Sequence, residues 1–262
     1  VTYSAALSVG GLDQWVALSV RLHPPMASLL AWSLGAHAQE RDVRGFEADT
    51  RSARQVRRAG GWLALDFPHI LRQRMFAVVA RGEWIDREAG RDGTAFGPLI
   101  RFSAILPEAR VIGVPWLIEA ERRWGEITYT RVALTGGITV GTQAALSLFT
   151  DLRAVSSAAP EDVRPALGDE HAIPGLRWGQ QRGRARLIMG ADAAYPVGGG
   201  FLRVRARTGT ITDELADWKR TRWTTGAQLG LVWPTPLGLL EAGYGHATIG
   251  DGRFDISIGR NF

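Results

Sequence analysis

Polar and apolar residues alternate with period two through most of this chain, and alternation sustained that long admits few folds. In 223–233, Thr225, Ala227, Leu229, Leu231 and Trp233 oppose Thr224, Gly226, Gln228 and Gly230. In 202–208, Leu202, Val204, Ala206 and Thr208 alternate with Arg203, Arg205 and Arg207. Val16, Leu18, Val20 and Leu22 alternate with Ala17, Ser19 and Arg21, and Phe254, Ile256 and Ile258 with Asp255, Ser257 and Gly259. About fourteen segments read this way: 2–9, 16–22, 26–38, 57–67, 71–85, 97–106, 113–124, 126–137, 139–153, 184–195, 202–208, 223–233, 236–246 and 253–262. A stretch at 40–50 is ambiguous, because Arg41, Asp42, Arg44 and Glu47 interrupt it. Segments of about 8–14 residues exceed the roughly 5–6 of soluble strands and suit a tilted crossing of a bilayer, which needs about 9–11.

The chemistry of the two faces points the same way. A soluble barrel turns its apolar face inward, whereas a membrane barrel turns it to lipid and keeps polar residues in the lumen. The polar faces here carry Arg203, Arg205, Arg207, Glu119 and Glu121, together with Gly226, Gly230, Gly243 and Gly245, which leave space rather than fill a core. Trp15, Trp32, Trp84, Trp116, Trp124, Trp223, Trp233 and Tyr195 fall near strand ends, where a membrane interface favours amphipathic rings. The long uncharged stretches, such as 132–150 and 223–240, contain Gly or Pro and alternate with Thr, Ser or Gln, so none reads as a spanning helix. Unpaired strand edges are costly in hydrocarbon, so the strands are expected to close into a ring. The expected fold class is all-β, a transmembrane antiparallel β-barrel with 14–16 strands legible, and 1–262 is read as one domain.

Connections divide into short and long sets, as outer-membrane barrels require. Gly10-Gly11, His23-Pro24-Pro25, Gly136-Gly137, Pro196-Val197-Gly198 and Pro234-Thr235-Pro236 read as short periplasmic turns. Glu83–Thr94, Asp213–Arg222 and, longest of all, Ala154–Gly183 read as extracellular loops.

Composition removes other classes. With no cysteine there is no disulfide framework, no Cys-ligated zinc and no thiol nucleophile, and 45% hydrophobic residues exclude a disordered chain. The net charge of +5 raises nucleic acid as a partner, but the basic residues, all arginine except Lys219, are spread along the chain rather than gathered in a stripe or tail. Nucleic acid is therefore not an expected partner. Val1-Thr2-Tyr3-Ser4 has neither the basic nor the apolar region of a secretory signal.

Trp233-Pro234-Thr235-Pro236-Leu237-Gly238-Leu239-Leu240-Glu241-Ala242-Gly243-Tyr244-Gly245, with Ile256-Ser257-Ile258-Gly259-Arg260-Asn261-Phe262 at the end, resembles the last two strands of the BamA/TamA-type outer-membrane barrel superfamily. It is most similar to the barrels that end bacterial patatin-like proteins. Phe254, Ile256, Ile258 and the terminal Phe262 resemble the C-terminal signal read by the outer-membrane assembly machinery, although Arg260 breaks the alternation. Within the long loop, Ala166-Leu167-Gly168-Asp169, then Ile173, Pro174, Gly175, Leu176 and Arg177, then Arg182-Gly183-Arg184, resemble the family's sixth extracellular loop and the strand after it.

The resemblance implies 16 strands, a weak seam between the first and last that opens toward lipid, and the loop 154–183 folded into the lumen. It implies that the loop tip docks through an arginine on acidic wall residues. Here Pro174 stands at the arginine's place, which leaves Arg177 as substitute and Asp192 as candidate partner. The better literal match, Val43-Arg44-Gly45-Phe46, lies too early in the chain for that role. The family's periplasmic domains are expected upstream of this sequence, which opens on a strand. The implied role is insertion or secretion of proteins at the outer membrane of a Gram-negative bacterium. The implied partners are outer-membrane lipid and lipopolysaccharide, a client or passenger polypeptide, and envelope-complex subunits or a second copy of the chain.

Candidate chemistry is thin. No Gly-x-Ser-x-Gly elbow occurs, and His23, His37, His69, His171 and His246 lack metal-ligand spacing, so no enzyme activity, metal or cofactor is expected. Asp192, Arg184, Arg186, Arg203, Arg205 and Arg207 form a lumen charge cluster that either attracts anions and acidic segments or pairs internally with Asp192, Glu119, Glu121 or Glu241. A passive porin-like or structural barrel is the alternative function. A lipid hydrolase built on His246 and Ser257 is a more remote one.

Overall fold

The computed structural model describes residues 2–8, 13–22, 31–47, 50–71, 74–88, 92–109, 112–141, 144–168, 173–177, 179–214, 221–235, 238–250 and 252–259. These form β1 (Thr2–Ser8), β2 (Asp13–Leu22), β3 (Ala31–Glu47), β4 (Thr50–Leu71), β5 (Arg74–Arg87), β6 (Gly93–Ala109), β7 (Ile112–Gly125), β8 (Tyr129–Val140), β9 (Ala145–Val155), β10 (Ala185–Val197), β11 (Gly200–Thr212), β12 (Thr224–Thr235), β13 (Gly238–Ala247) and β14 (Arg253–Gly259). Among the described residues, a 3-10 turn, Glu161–Val163, interrupts the long segment after β9. The sheet order follows the sequence from β1 to β14. The ladders are antiparallel, with Ser4 opposite Ser19, Asp192 opposite Arg205, and Glu241 opposite Ser257. Among the described residues no helix is long and apolar enough to cross a membrane.

The strands fall on the fourteen segments read from alternation, with four local corrections. The ambiguous stretch 40–50 is no separate strand: β3 runs through it to Glu47, which pairs with Thr50 at the start of β4. Gly136-Gly137 is not a turn but lies within β8, where Gly137 lets the Leu148 carbonyl come within 2.5 Å of the place a Cβ would occupy. Glu83 belongs to β5 rather than a loop, since the ladder with β6 continues to Ile85 opposite Gly93. The β10–β11 turn sits at Gly198-Gly199, both with positive φ (53° and 83°), as a two-residue hairpin turn requires. The expected turns Gly10-Gly11 and His23-Pro24-Pro25 lie outside the described residues.

Two compact units share the chain. One comprises Val1–Ile105, Trp116–Leu134 and Ala154–Arg164; the other comprises Leu106–Pro115, Thr135–Arg153 and Pro165–Phe262. In both, the sheet inverts the burial of a soluble protein. In the first, Leu18, Leu34, Leu63 and Phe96 are exposed while Glu83, Glu121 and Arg123 are buried. In the second, β12 alternates strictly: Thr224, Gly226, Gln228, Gly230 and Val232 are buried, and Thr225, Ala227, Leu229, Leu231 and Trp233 exposed. Trp32, Trp84, Trp116, Trp124, Trp223, Trp233 and Tyr195 all lie exposed.

The segment after β9 supplies apolar cover for the otherwise polar face. In the first unit Ala159 and Val163 pack with Val155 at the end of β9 and with Val56, Ile85, Ala95, Ile127 and Tyr129. In the second, Leu167, Ile173 and Leu176 pack with Ile188, Ala247, Phe149, Ile211 and Ile249. Each cluster removes apolar surface from water at about 25 cal/mol per Å², which anchors a segment that has almost no regular structure of its own.

Candidate functional site

The charged face of the sheet and the loop lying on it are where chemistry concentrates. A charge withdrawn from water costs several kcal/mol unless it is paired, so each buried ion here has a partner close by.

In the first unit the hub is Glu83 on β5, whose side chain is wholly buried. It pairs with Arg81, lies 3.2 Å from His37 Nε2 and 3.5 Å from Arg58 Nη1, and has Arg123 Nη2 at 3.8 Å. Arg123 also donates to Glu121 at 2.6 Å, and Glu121 takes a further contact from Arg131 at 3.1 Å. The loop joins this network through Asp162 in the 3-10 turn, which pairs with Arg58 and receives Arg87 Nε at 3.2 Å. Burial by itself would raise the Asp162 carboxyl; the guanidiniums of Arg58 and Arg87 outweigh it and hold the group below the usual carboxylate range.

In the second unit two groups lie on the same face. Arg186, fully buried on β10, donates to the Asp151 carboxylate on β9 and to the carbonyl of Ala166 in the loop. Asp151 also accepts from Arg153 and from the Thr135 hydroxyl, each at 3.1 Å. Further along, Arg203, Arg205 and Arg207 project from alternate positions of β11 onto Asp192 and Glu241. Arg203 reaches both carboxylates, at 3.3 and 3.2 Å. Arg205 contacts Glu241 at 3.0 Å and Gln228 at 2.9 Å, and Arg207 contacts Asp192 at 3.0 Å.

The loop tip reaches the wall by a different route. Gly175, at φ 86°, lies against the backbone of His246, and Pro174 sits over Gly226 and Gly245. A Cβ at Gly226 would stand 2.2 Å from the Pro174 carbonyl oxygen, and one at Gly245 would stand 2.9 Å from the Gly175 nitrogen. Backbone therefore meets backbone, in a socket that exists because those wall positions have no side chain. The Leu176 carbonyl accepts from Arg253 at 3.4 Å, and Gly168, Gln180 and Gln181 close the neck of the loop by backbone hydrogen bonds.

The structure brings Ile173, Pro174, Gly175 and Leu176 onto the wall, while Arg177 is exposed and its backbone N–H donates to Gln180 Oε1. The Asp192 carboxylate is engaged by Arg203, Arg205 and Arg207. Arg184 lies just ahead of β10, apart from the ladder on β11. Glu119 and Glu121 serve Arg101, Arg123 and Arg131 rather than the ladder. Phe254 and Ile256 are exposed on β14, Ile258 continues that strand, and Phe262 lies outside the described residues. His246 and Ser257 are not brought together: Ser257 is in register with Glu241, five positions along β13 from His246, roughly 17 Å of strand. The reading by residue type missed Glu83, Asp151 and Asp162 with their arginines. The parity of β5 and β9 marks the first two, since Arg81 and Glu83, like Asp151 and Arg153, fall on the face opposite the exposed apolar residues.

This sheet overlays on two solved proteins. BamA from Haemophilus ducreyi, in a structure lacking POTRA domains 1–3, matches with a TM-score of 0.71 over 94% of this chain at 12% identity. CdiB from Acinetobacter baumannii matches with a TM-score of 0.69, again over 94%, at 14% identity. The chain has a BamA-type barrel fold. It spans 61% of the BamA chain and 50% of the CdiB chain. No protein-family model matches the sequence, and no curated protein matches it by sequence. The BamA-type fold accounts for the inverted burial: apolar rows face outward from such a barrel and the charged rows face in.

Proposed function

We propose that this chain is a Gram-negative outer-membrane barrel that assists the insertion or secretion of polypeptides through the edges of its first and last strands. The observation that carries the reading is the sheet's inversion, with apolar rows and tryptophans exposed and charges buried beneath a docked loop, on a BamA-type fold. Lipid and lipopolysaccharide cover the exposed rows. In this reading the seam lies between β1 and β14, the strands at the two ends of the sheet order. An incoming strand pairs with an opened edge by β-augmentation, where main-chain hydrogen bonds supply affinity without demanding a sequence.

Cysteines at Ser4 and Ser257 test the seam. A disulfide formed in the membrane is the expected result, and its absence under oxidation, in protein shown to be folded, overturns the reading. Planar-bilayer recording separates it from a porin-like barrel: brief gated openings fit the seam, and a steady large conductance counts against it.

A further inference from the structure

Arg122 is a charge on the apolar face of β7. It shares strand parity with Trp116, Ile118 and Trp124, all exposed, while Glu121 and Arg123 on the other face are buried. In a membrane barrel that exposed row meets lipid. The two tryptophans bracket it across roughly 27 Å of strand, and Arg122 lies between them, roughly 7 Å from Trp124. Among the described residues its polar partner is the Thr130 hydroxyl, which accepts from Nη1 at 2.6 Å, and no carboxylate pairs with it. Arg57, exposed on β4, instead has Glu40 at 3.6 Å. A neutral hydroxyl leaves the Arg122 charge uncompensated, and a cation on a lipid-facing row is costly unless water or an anion reaches it.

Thr130 fixes the level of this charge. Its backbone N–H donates to Ser156 Oγ at 3.1 Å, and its carbonyl accepts from the Ser156 N–H at 2.9 Å. Arg122 therefore lies at the end of the sheet where the loop leaves β9. Beside it the outer face is hollow. A Cβ at Gly97 would stand 2.0 Å from the Arg122 carbonyl oxygen, and the Phe96 and Trp124 rings lie 6.5 Å apart, so β6 and β7 adjoin here. Gly61 and Gly82 stand in register between Ala36 and Phe96, and the next row is Leu63, Ala80 and Pro98. A Cβ at Gly82 would meet nothing within 4 Å. These two rows line an open apolar groove within the first unit.

We infer that Arg122 and this groove bind the lipid A part of lipopolysaccharide, the guanidinium on a phosphate and an acyl chain over Gly61 and Gly82. A guanidinium meets phosphate through paired N–H bonds, which supply the anion that the protein does not. Lipopolysaccharide is the phosphorylated, acylated glycolipid of the outer leaflet, and the loop end of the barrel is the end read as extracellular. The inference rests on the outer-membrane reading above, but it fails separately. A chain that does not insert into membranes refutes that reading, whereas an inserted chain indifferent to the lipid phosphate refutes this one.

The test is native mass spectrometry of the purified full chain, first shown to insert into liposomes, titrated in detergent with lipid A, with dephosphorylated lipid A or with phosphatidylglycerol. Lipid A is expected to bind about tenfold more tightly than its dephosphorylated form. Arg122→Gln should erase that difference. Gly82→Leu fills the groove and should weaken both forms severalfold while keeping the difference. Arg101→Gln removes an arginine that is paired with Glu119 and should change neither. Equal binding of the two forms by inserted protein would overturn the inference. So would a difference that Arg122→Gln leaves intact or Arg101→Gln also erases, binding untouched by Gly82→Leu, or tighter binding of phosphatidylglycerol than of lipid A.

Discussion

Replacing Arg186 with methionine removes a side chain that ties β10 to β9 and to the loop within the second unit. The guanidinium is fully buried and donates to Asp151 and to the Ala166 carbonyl. Removing one partner of a buried pair costs about 3–5 kcal/mol, because the other charge stays behind without compensation. Asp151 keeps Arg153 and the Thr135 hydroxyl, both at 3.1 Å, so the cost belongs at the low end of that range. Arg186→Met is therefore expected to destabilise the barrel by about 3 kcal/mol, with Asp151→Leu destabilising it similarly by removing the carboxylate from the buried guanidinium. The double substitution removes both charges and should cost about 1 kcal/mol, less than either single one. Urea titration of lipid-refolded protein, followed by tryptophan fluorescence and by heat-modifiable gel mobility, measures all three. A single-variant effect below about 0.5 kcal/mol, or a double variant equal to the sum of the singles, would refute the reasoning.

Gly226→Val drives a branched side chain into the Pro174 carbonyl and should unseat the loop tip at a cost of about 1–3 kcal/mol, with new protease cleavage in 165–183 as the readout. Asp162 ionises more readily in the folded chain than in the unfolded one. Its contribution is therefore complete above the unfolded carboxyl value of about 3.9 and is lost as pH falls through the lower folded value. Unfolding measured across pH 2–6, an interval chosen to bracket about 3.9, should be steeper for the unaltered chain than for Asp162→Asn, which should already be weaker at neutral pH. Glu83→Gln leaves Arg58, Arg81 and Arg123 around a neutral amide and should cost about 3 kcal/mol in the same urea assay. Brominated lipid should quench Trp32, Trp84, Trp116, Trp124, Trp223 and Trp233 in reconstituted protein, and unquenched fluorescence would contradict an outer face in contact with lipid.

Strand positions were legible because period two is a property of the backbone itself: β11 to β13 are where the alternation in Arg203–Arg207, Thr224–Trp233 and Glu241–Tyr244 places them. Turns were less so. A glycine pair can make a turn or a close approach between strands, and nothing local distinguishes Gly136-Gly137, inside β8, from Gly198-Gly199, which turns the chain. Glu83 was misread because a carboxylate among Gly82, Arg87 and Glu88 resembles solvated loop, whereas its neighbours His37, Arg58, Arg81 and Arg123 come from β3, β4, β5 and β7 and meet only in the fold. The loop's attachment was legible as a place but not as a chemistry. Pro174 signalled that no arginine stands at the tip, yet that Arg186 of the wall holds the loop, rather than the reverse, depends on Ala166 lying beside it.

The socket at Gly226 and Gly245 has a consequence for how this chain tolerates mutation. An ion pair can be rebuilt with other residues, because a neighbouring charge takes up the lost contact, as Arg203, Arg205 and Arg207 overlap on Asp192. A contact made of missing atoms has no such redundancy. Every nucleotide change that alters a glycine codon's meaning to another amino acid adds at least a Cβ, and at these positions the space is filled by loop backbone. In a saturation-mutagenesis survey the ladder should read as a gradual slope of partial effects, and the two glycines as cliffs.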